Sequence, residues 1–230
     1  MSAAFPSAST RPPASAVPQL VVSVLGGTGE QGRGLARRFA LAGHQVVLGS
    51  RSVERAQQAA QGLPETVTGA ANADAAAQGD VVIVAVPWEG HKELLQALAP
   101  VLAGKVVIDC VNPLGFDKQG AYALSVEEGS AAEQAAAVLP DSRVVAAFHH
   151  VSAVLLLDEA VTRVDSDVLV LGDDREATDL VEALVARIPG MRGIYAGRLR
   201  NAHQIEALTA NLISVNRRYQ AHAGLRVTDV

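Results

Sequence analysis

Short apolar runs alternate with amphipathic stretches along this chain, and the alternation sets its elements. Leu20 to Leu25 is an apolar run of strand length, and a helical pattern follows from about Glu30 to Ala42, ended by Gly43. Gln45 to Leu48 reads as a second strand and Val53 to Gln61 as a second helix. A short strand near Val67 precedes Ala71 to Gln78. Val81 to Val86 is continuously apolar, as a strand covered on both faces must be, and Pro87-Trp88 closes it. A helix from about Gly90 to Leu98 then leads to strand Val106 to Val111 and the loop Asn112-Pro113-Leu114-Gly115. Ser130 caps a helix reaching Val138, Pro140 stops it, and strand Val144 to Phe148 runs into His149 and His150.

A domain boundary is expected at that point. Beyond it the pattern predicts a helix around Ala153 to Glu159, strand Asp167 to Leu171, helix Arg175 to Ile188, a short strand Gly193 to Ala196 and a long helix from about Asn201 to Tyr219. Strand and helix in alternation, joined by short right-handed crossovers, predict a parallel sheet. The fold class expected is α/β, a Rossmann-type doubly wound parallel sheet in residues 20–150 with a small C-terminal α/β cap domain in 151–230. Residues 1–19 carry Pro6, Pro12, Pro13 and Pro18 among Ala and Ser, without the apolar core of a signal peptide, and are expected to be a disordered leader.

Between the first strand and its helix stand Gly26, Gly27, Thr28, Gly29, Glu30, Gln31 and Gly32. Gly27 would allow a tight turn, Gly29 would let the backbone approach a pyrophosphate, and Gly32 would let helix and strand pack closely. Free N–H groups and the helix dipole would face the anion. The second strand ends in Gly49-Ser50-Arg51, where a carboxylate would bind a free ribose 2′-hydroxyl. A guanidinium and a hydroxyl attract a 2′-phosphate instead, so the residues read as an NADP site.

Composition narrows the rest. At 230 residues, 49% hydrophobic and 19% charged, the chain can bury one substantial core plus a small appendage. No apolar run approaches the ~20 residues of a spanning helix, which argues against a membrane role. A net charge of −5 argues against nucleic acid as a partner. The one cysteine, Cys110, follows Val107, Ile108 and Asp109 and reads as a buried small hydrophobe; with no internal disulfide possible, the cytoplasm is the expected compartment. Charge is unevenly spread: from Arg187 to Arg226 seven arginines face one acid, Glu206, a net +6 against −11 for the remainder. Either a solvated helix face or a polyanionic small ligand would account for it.

Catalytic groups are scarce. Tyr122, Tyr195 and Tyr219 are followed four residues later by Val126, Leu199 and Ala223, so the Tyr-x-x-x-Lys proton donor of short-chain dehydrogenases is missing. The three lysines, Lys92, Lys105 and Lys118, all precede the second domain, where a 3-hydroxyacid dehydrogenase would carry its catalytic lysine. Adjacent His149 and His150 on a strand would point to opposite faces, so no metal site is expected. One of them could end a strand beside the nicotinamide, or be a hydrogen-bonded core histidine; Trp88 could likewise pack in the core or sit near the nucleotide. An NADP site, a basic cap and no evident acid or base fit direct hydride exchange between two bound cofactors, in which proximity and stacking supply the catalysis.

From Leu20 to Val227 the chain resembles the NADPH-dependent reductases of coenzyme F-420, an 8-hydroxy-5-deazaflavin. The resemblance rests on Leu25-Gly26-Gly27-Thr28-Gly29 with Gly32 and Gly34, Gly49-Ser50-Arg51 with Arg55, Pro87-Trp88-Glu89, Ser130-Ala131-Ala132-Glu133, Ala147-Phe148-His149 and Gly172-Asp173-Asp174. It implies that Thr28 to Gln31, with Glu30 among them, hold the pyrophosphate, that Ser50, Arg51 and Arg55 hold the 2′-phosphate, and that Val86, Trp88, Asn112 and Ala153 line the nicotinamide side. It further implies NADP(H) and coenzyme F-420 as partners, contacts from His149, Val151 and the C-terminal tail to the deazaflavin, and a homodimer. The phosphodiester and oligoglutamate tail of F-420 would suit the basic segment. A non-enzymatic NADP sensor and an NADPH-dependent flavin or ferric reductase are the competing readings.

Overall fold

The computed structural model describes residues 17–230; residues 1–16, most of the expected leader, lie outside the described residues. Val17, counted with the leader on sequence, is buried in the core.

Eight strands form one sheet in the order β10-β9-β8-β5-β4-β1-β2-β3. They are β1 Val21–Leu25, β2 Gln45–Ser50, β3 Val67–Ala71, β4 Val81–Val84, β5 Val106–Asp109, β8 Arg143–Ala146, β9 Ser166–Gly172 and β10 Met191–Gly197. The first six pair in parallel, whereas β8 and β9 pair antiparallel and β10 runs parallel to β9. The helices are α1 Glu30–Leu41, α2 Val53–Ala60, α3 Asn72–Gln78, α4 His91–Leu102, α5 Ala131–Val138, α6 Ala153–Leu157, α7 Arg175–Val185 and α8 Ala202–Tyr219.

Strand residues alternate between two cores. Val22, Val24, Ile83 and Ile108 pack with Leu35 and Phe39 of α1, Leu156 of α6 and Val181 of α7. Leu25, Val82, Val84 and Val107 pack with Ala75 of α3, Leu95 of α4, Ala131 of α5 and Ala202 of α8. A sheet covered on both faces needs strands that are apolar throughout, which is the pattern seen in Val81–Val84.

The sheet runs continuously across residue 150, where the sequence suggests a boundary: β9 and β10 extend it beyond β8. Two differences from the sequence pattern have local causes. The loop after Asn112 is a β-hairpin, β6 Leu114–Asp117 and β7 Gly120–Ala123, too short and too exposed to register as strands in an apolar pattern. Helix α4 continues through Pro100 to Leu102, because buried Leu98 and Leu102 anchor the final turn despite one lost backbone bond. Buried Arg38 ties α1 to α6 by donating from Nε to the Leu156 carbonyl at 2.8 Å and from Nη1 to the Val161 carbonyl at 2.7 Å.

Candidate nucleotide site and cleft

The turn after β1 is shaped by two glycines in different ways. The left-handed conformation falls on Gly26, at φ +69°. Gly27 is required for space: a Cβ there would lie 2.6 Å from Leu48 Cδ2 and 2.8 Å from the Val24 carbonyl oxygen. A Cβ on Gly32 would meet Gly27 Cα at 2.7 Å, so turn and helix pack as closely as expected. Gly29, the N-cap of α1, is open: a Cβ would find only the Gly26 carbonyl oxygen, at 4.0 Å. Thr28, Gly29 and Glu30 are exposed at the end of the helix, where free N–H groups concentrate. Gln31 turns away from that mouth, and its Nε2 donates to the Phe148 carbonyl at 3.2 Å.

One strand over, Ser50 is buried at the end of β2, and Arg51 is exposed. Ser52 caps α2 by accepting from the Arg55 N–H at 3.3 Å, and its hydroxyl donates to Glu54 at 2.5 Å. An open groove of about 530 Å³ lies between the turn and α2, lined by Thr28, Arg33, Arg55, Gln58, Ala59 and Gln61. Its lining holds two guanidinium groups and no carboxylate, which fits a phosphorylated ribose better than a bare diol. Arg51 stands outside this lining. Arg33 is a residue that sequence reasoning missed; its place after the glycine motif on the face turned to α2 was the available signal.

The opposite side of the mouth is built from the ends of β4, β5 and β8. Val86 and Trp88 are half-buried, and the Trp88 ring lies 5.7 Å from that of His91 at 31°. His91 Nε2 meets the Asp109 carboxylate at 2.7 Å, with both side chains wholly buried, and His91 Nδ1 meets Gln134 Oε1 at 3.0 Å. Burial opposes the imidazolium, yet Asp109 and Gln134 raise the His91 pKa overall. Glu206 of α8 accepts from the Ala131 and Ala132 N–H groups at the start of α5, and burial pushes its carboxyl up to about 7. Cys110 is buried as expected, its Sγ donating to the Val84 carbonyl at 3.0 Å, and burial pushes its thiol up.

His149 and His150 do not sit on a strand. β8 ends at Ala146, and Phe148 adopts a left-handed conformation, φ +66°, that turns the chain before the pair. The turn is held from three sides. Gln31 donates to the Phe148 carbonyl, while Asn112 Nδ2 at 2.9 Å and Thr209 Oγ1 at 3.1 Å both donate to the His149 carbonyl. His149 is buried, neither ring nitrogen has a partner at good hydrogen-bond geometry among the described residues, and burial lowers its pKa despite the nearby Asp109 and Cys110 backbone. His150 accepts from the Leu169 N–H at 3.3 Å, and burial, with His149 alongside, pushes it down to about 4. His150 is therefore the core histidine of the pair. Val151 is buried beside the turn, and Ala153 opens α6 half-buried.

The basic C-terminal segment separates into two sets. Arg192 and Arg226 hold buried Asp167, each at 2.6 Å, and thereby fasten the chain end; Arg187 donates to the Ala42 carbonyl and Arg198 lies 3.6 Å from Asp173. Arg200, Arg217 and Arg218 are exposed and form no ion pair among the described residues.

A glycine turn at a helix start, a cationic groove beside it and a cleft at the carboxyl ends of parallel strands define an NADP-dependent oxidoreductase of Rossmann type. The family model for coenzyme F-420-dependent NADP oxidoreductases matches residues 21–113. The F-420-dependent NADP reductase of Methanothermobacter marburgensis is 42% identical over 221 residues, 91% of this chain and 98% of that protein. The reductase of the same name from Methanocaldococcus jannaschii is 37% identical over 91% of this chain and 98% of its own length. A crystal structure from Arthrobacter sp. FB24, provisionally named an F-420-dependent NADP-reductase, superposes with a TM-score of 0.78 at 29% identity, covering 90% of this chain and 98% of that one. The chain belongs to the F-420-dependent NADP reductase family.

Proposed function

We propose that this protein is an NADPH:coenzyme F-420 oxidoreductase, passing hydride reversibly between NADP(H) and the deazaflavin. The observation that carries the reading is the turn at Phe148 and His149, bonded at once to Gln31 of the glycine loop, Asn112 beyond β5 and Thr209 of α8. Those bonds tie together segments that carry residues expected at the pyrophosphate, the nicotinamide and the deazaflavin, which supports the reading. Gly27 and the backbone N–H groups of Thr28 to Gln31 would hold the pyrophosphate, Ser50, Arg51 and Arg55 the 2′-phosphate, and Val86, Trp88, Asn112 and Ala153 the nicotinamide. His149 and Val151, with residues 151–230 closing the cleft, would face the deazaflavin. When bound, NADPH would supply hydride directly to a ring carbon of the deazaflavin, and one proton from solvent at a ring nitrogen would balance the reduction, so no side chain need relay a proton to the reacting carbon. The chain's own part is to hold the two rings face to face and to exclude water. Buried His149, with its lowered pKa, suits that part as a neutral contact.

Bleaching of F-420 absorbance by NADPH tests the proposal, with FMN and ferric chelates compared under the same conditions. Preference for F-420 is expected, and bleaching of FMN or reduction of iron alone would favour the flavin or ferric reductase. With NADPH deuterated at the transferred position, label should reach the deazaflavin ring carbon; solvent-derived label on that carbon would overturn direct transfer.

The same reading includes a homodimer in the cytoplasm. Only Ala202, Glu206 and Ala210 of the 18-residue α8 are buried, while Val215 and Tyr219, with Phe116 and Tyr122 of the hairpin, are exposed. A second copy would cover these exposed apolar side chains, and light scattering in solution checks it. The single buried thiol of Cys110 accords with a reducing compartment.

A further inference from the structure

We propose that Arg33 is a specificity-determining residue of the nucleotide site, forming with Arg55 a two-armed clamp on a phosphate monoester carried by the adenosine ribose. This rests on the NADP reading given above. Arg33 lies one helical turn beyond Gly29, whose carbonyl accepts its N–H at 2.9 Å, so its side chain leaves α1 directly below the glycine turn. Its Nε donates to the Ala59 carbonyl near the end of α2 at 3.1 Å. That bond fixes the plane of the guanidinium at the groove wall and leaves both terminal nitrogens without a protein acceptor among the described residues.

Arg55 enters the same groove from the first turn of α2, and its backbone is fixed by the Ser52 cap. The remaining lining, Thr28, Gln58, Ala59 and Gln61, adds hydroxyl and amide groups but no negative charge. The nearest acid on α2, Glu54, is held back by the Ser52 hydroxyl. Two guanidinium groups line one groove with no carboxylate in its lining, and a dianionic phosphate placed there gains charge-assisted bonds from both. Planar guanidinium forks suit the three oxygens of such a group better than ammonium groups do. A nucleotide with a free 2′-hydroxyl leaves both arginines unsatisfied.

Calorimetry on the full chain tests this with four probes: NADPH, NADH, adenosine 2′,5′-bisphosphate and 5′-AMP. Arg33→Met keeps the apolar stem and removes the charge; it should weaken NADPH and the bisphosphate by about ten- to a hundredfold and leave NADH and 5′-AMP within about twofold. Arg33→Lys should recover part of the loss, and it serves as the readout if Arg33→Met melts early or fails to fold: affinity for the bisphosphate below that of the wild type, with 5′-AMP unchanged, supports the clamp. Unaltered bisphosphate binding in the folded variant, or equal weakening of all four probes, overturns the proposal while the NADP reading stands. A wild-type protein with no preference for NADPH over NADH would sink both together.

Discussion

Gln31 and Phe148 are 117 positions apart, yet the side-chain amide of the first donates to the backbone carbonyl of the second at 3.2 Å. The contact joins the glycine loop to the turn that carries His149. Phe148 holds a left-handed backbone conformation that L-residues avoid at a cost of about 1 to 2 kcal/mol, so outside support is needed. Its ring supplies some of that support by packing edge-on against Phe39, with centroids 5.9 Å apart.

Gln31→Ala should therefore destabilise the protein by about 1 kcal/mol, a fall in Tm of roughly 2 to 4 °C. Turnover with F-420 should fall more than NADPH affinity, since the turn and not the phosphate contact is loosened. Thermal melts combined with steady-state kinetics check this, and an unchanged Tm with lost NADPH binding would return Gln31 to the pyrophosphate.

Arg51→Ala and Arg55→Ala should each weaken NADPH by roughly ten- to a hundredfold and spare NADH. The sequence alone ranks Arg51 first because it ends the second strand; the groove lining ranks Arg55 first, since Arg51 stands outside it. Titration of both variants with both nucleotides decides the order. Equal loss for NADPH and NADH would remove the 2′-phosphate assignment.

Gly29→Val should stay folded and lose nucleotide binding by more than about a hundredfold, because the space beside Gly29 is open in the protein and wanted by the pyrophosphate. Gly27→Ala should instead damage the fold, since its Cβ would strike Leu48 and the Val24 carbonyl. Calorimetry and circular dichroism separate the two outcomes, and normal NADPH binding by Gly29→Val would remove the glycine-turn argument.

Acid should destabilise the fold through its buried neutral histidines. His150 is pushed down to about 4 from an ordinary value of 6.5, so the unfolded chain takes up a proton that the folded one refuses. The stability it contributes is complete above pH 6.5 and is lost as pH falls towards about 4. His44 and His149 shift in the same direction, whereas His91, raised by Asp109, works the other way. His150→Gln should cut the stability lost between pH 7 and about pH 5 by about 2 kcal/mol, read from urea unfolding at both values. An identical loss in the variant would show that His150 is not the group responsible.

Much of this protein is decided within short stretches of chain. The run Val81–Val84, the turn from Gly26 to Gly32 and the Ser130 cap act through neighbours a few residues away, so most strands and helices, the glycine loop and an NADP preference could be read from the residues. What remained depends on atoms that only folding brings together. Position 27 must be glycine because Leu48 and the Val24 carbonyl occupy the space of a Cβ, while the left-handed conformation falls one residue earlier, on Gly26. His149 and His150 leave the strand because Phe148 turns, with Gln31, Asn112 and Thr209 holding the turn from three other elements. The basic segment divides because Asp167, buried in β9, draws in Arg192 and Arg226 and leaves Arg217 and Arg218 in solvent. Local periodicity encodes burial on one element at a time, whereas a groove shared by Arg33 and Arg55, or a turn fastened by three distant side chains, exists only once the sheet has set those elements side by side.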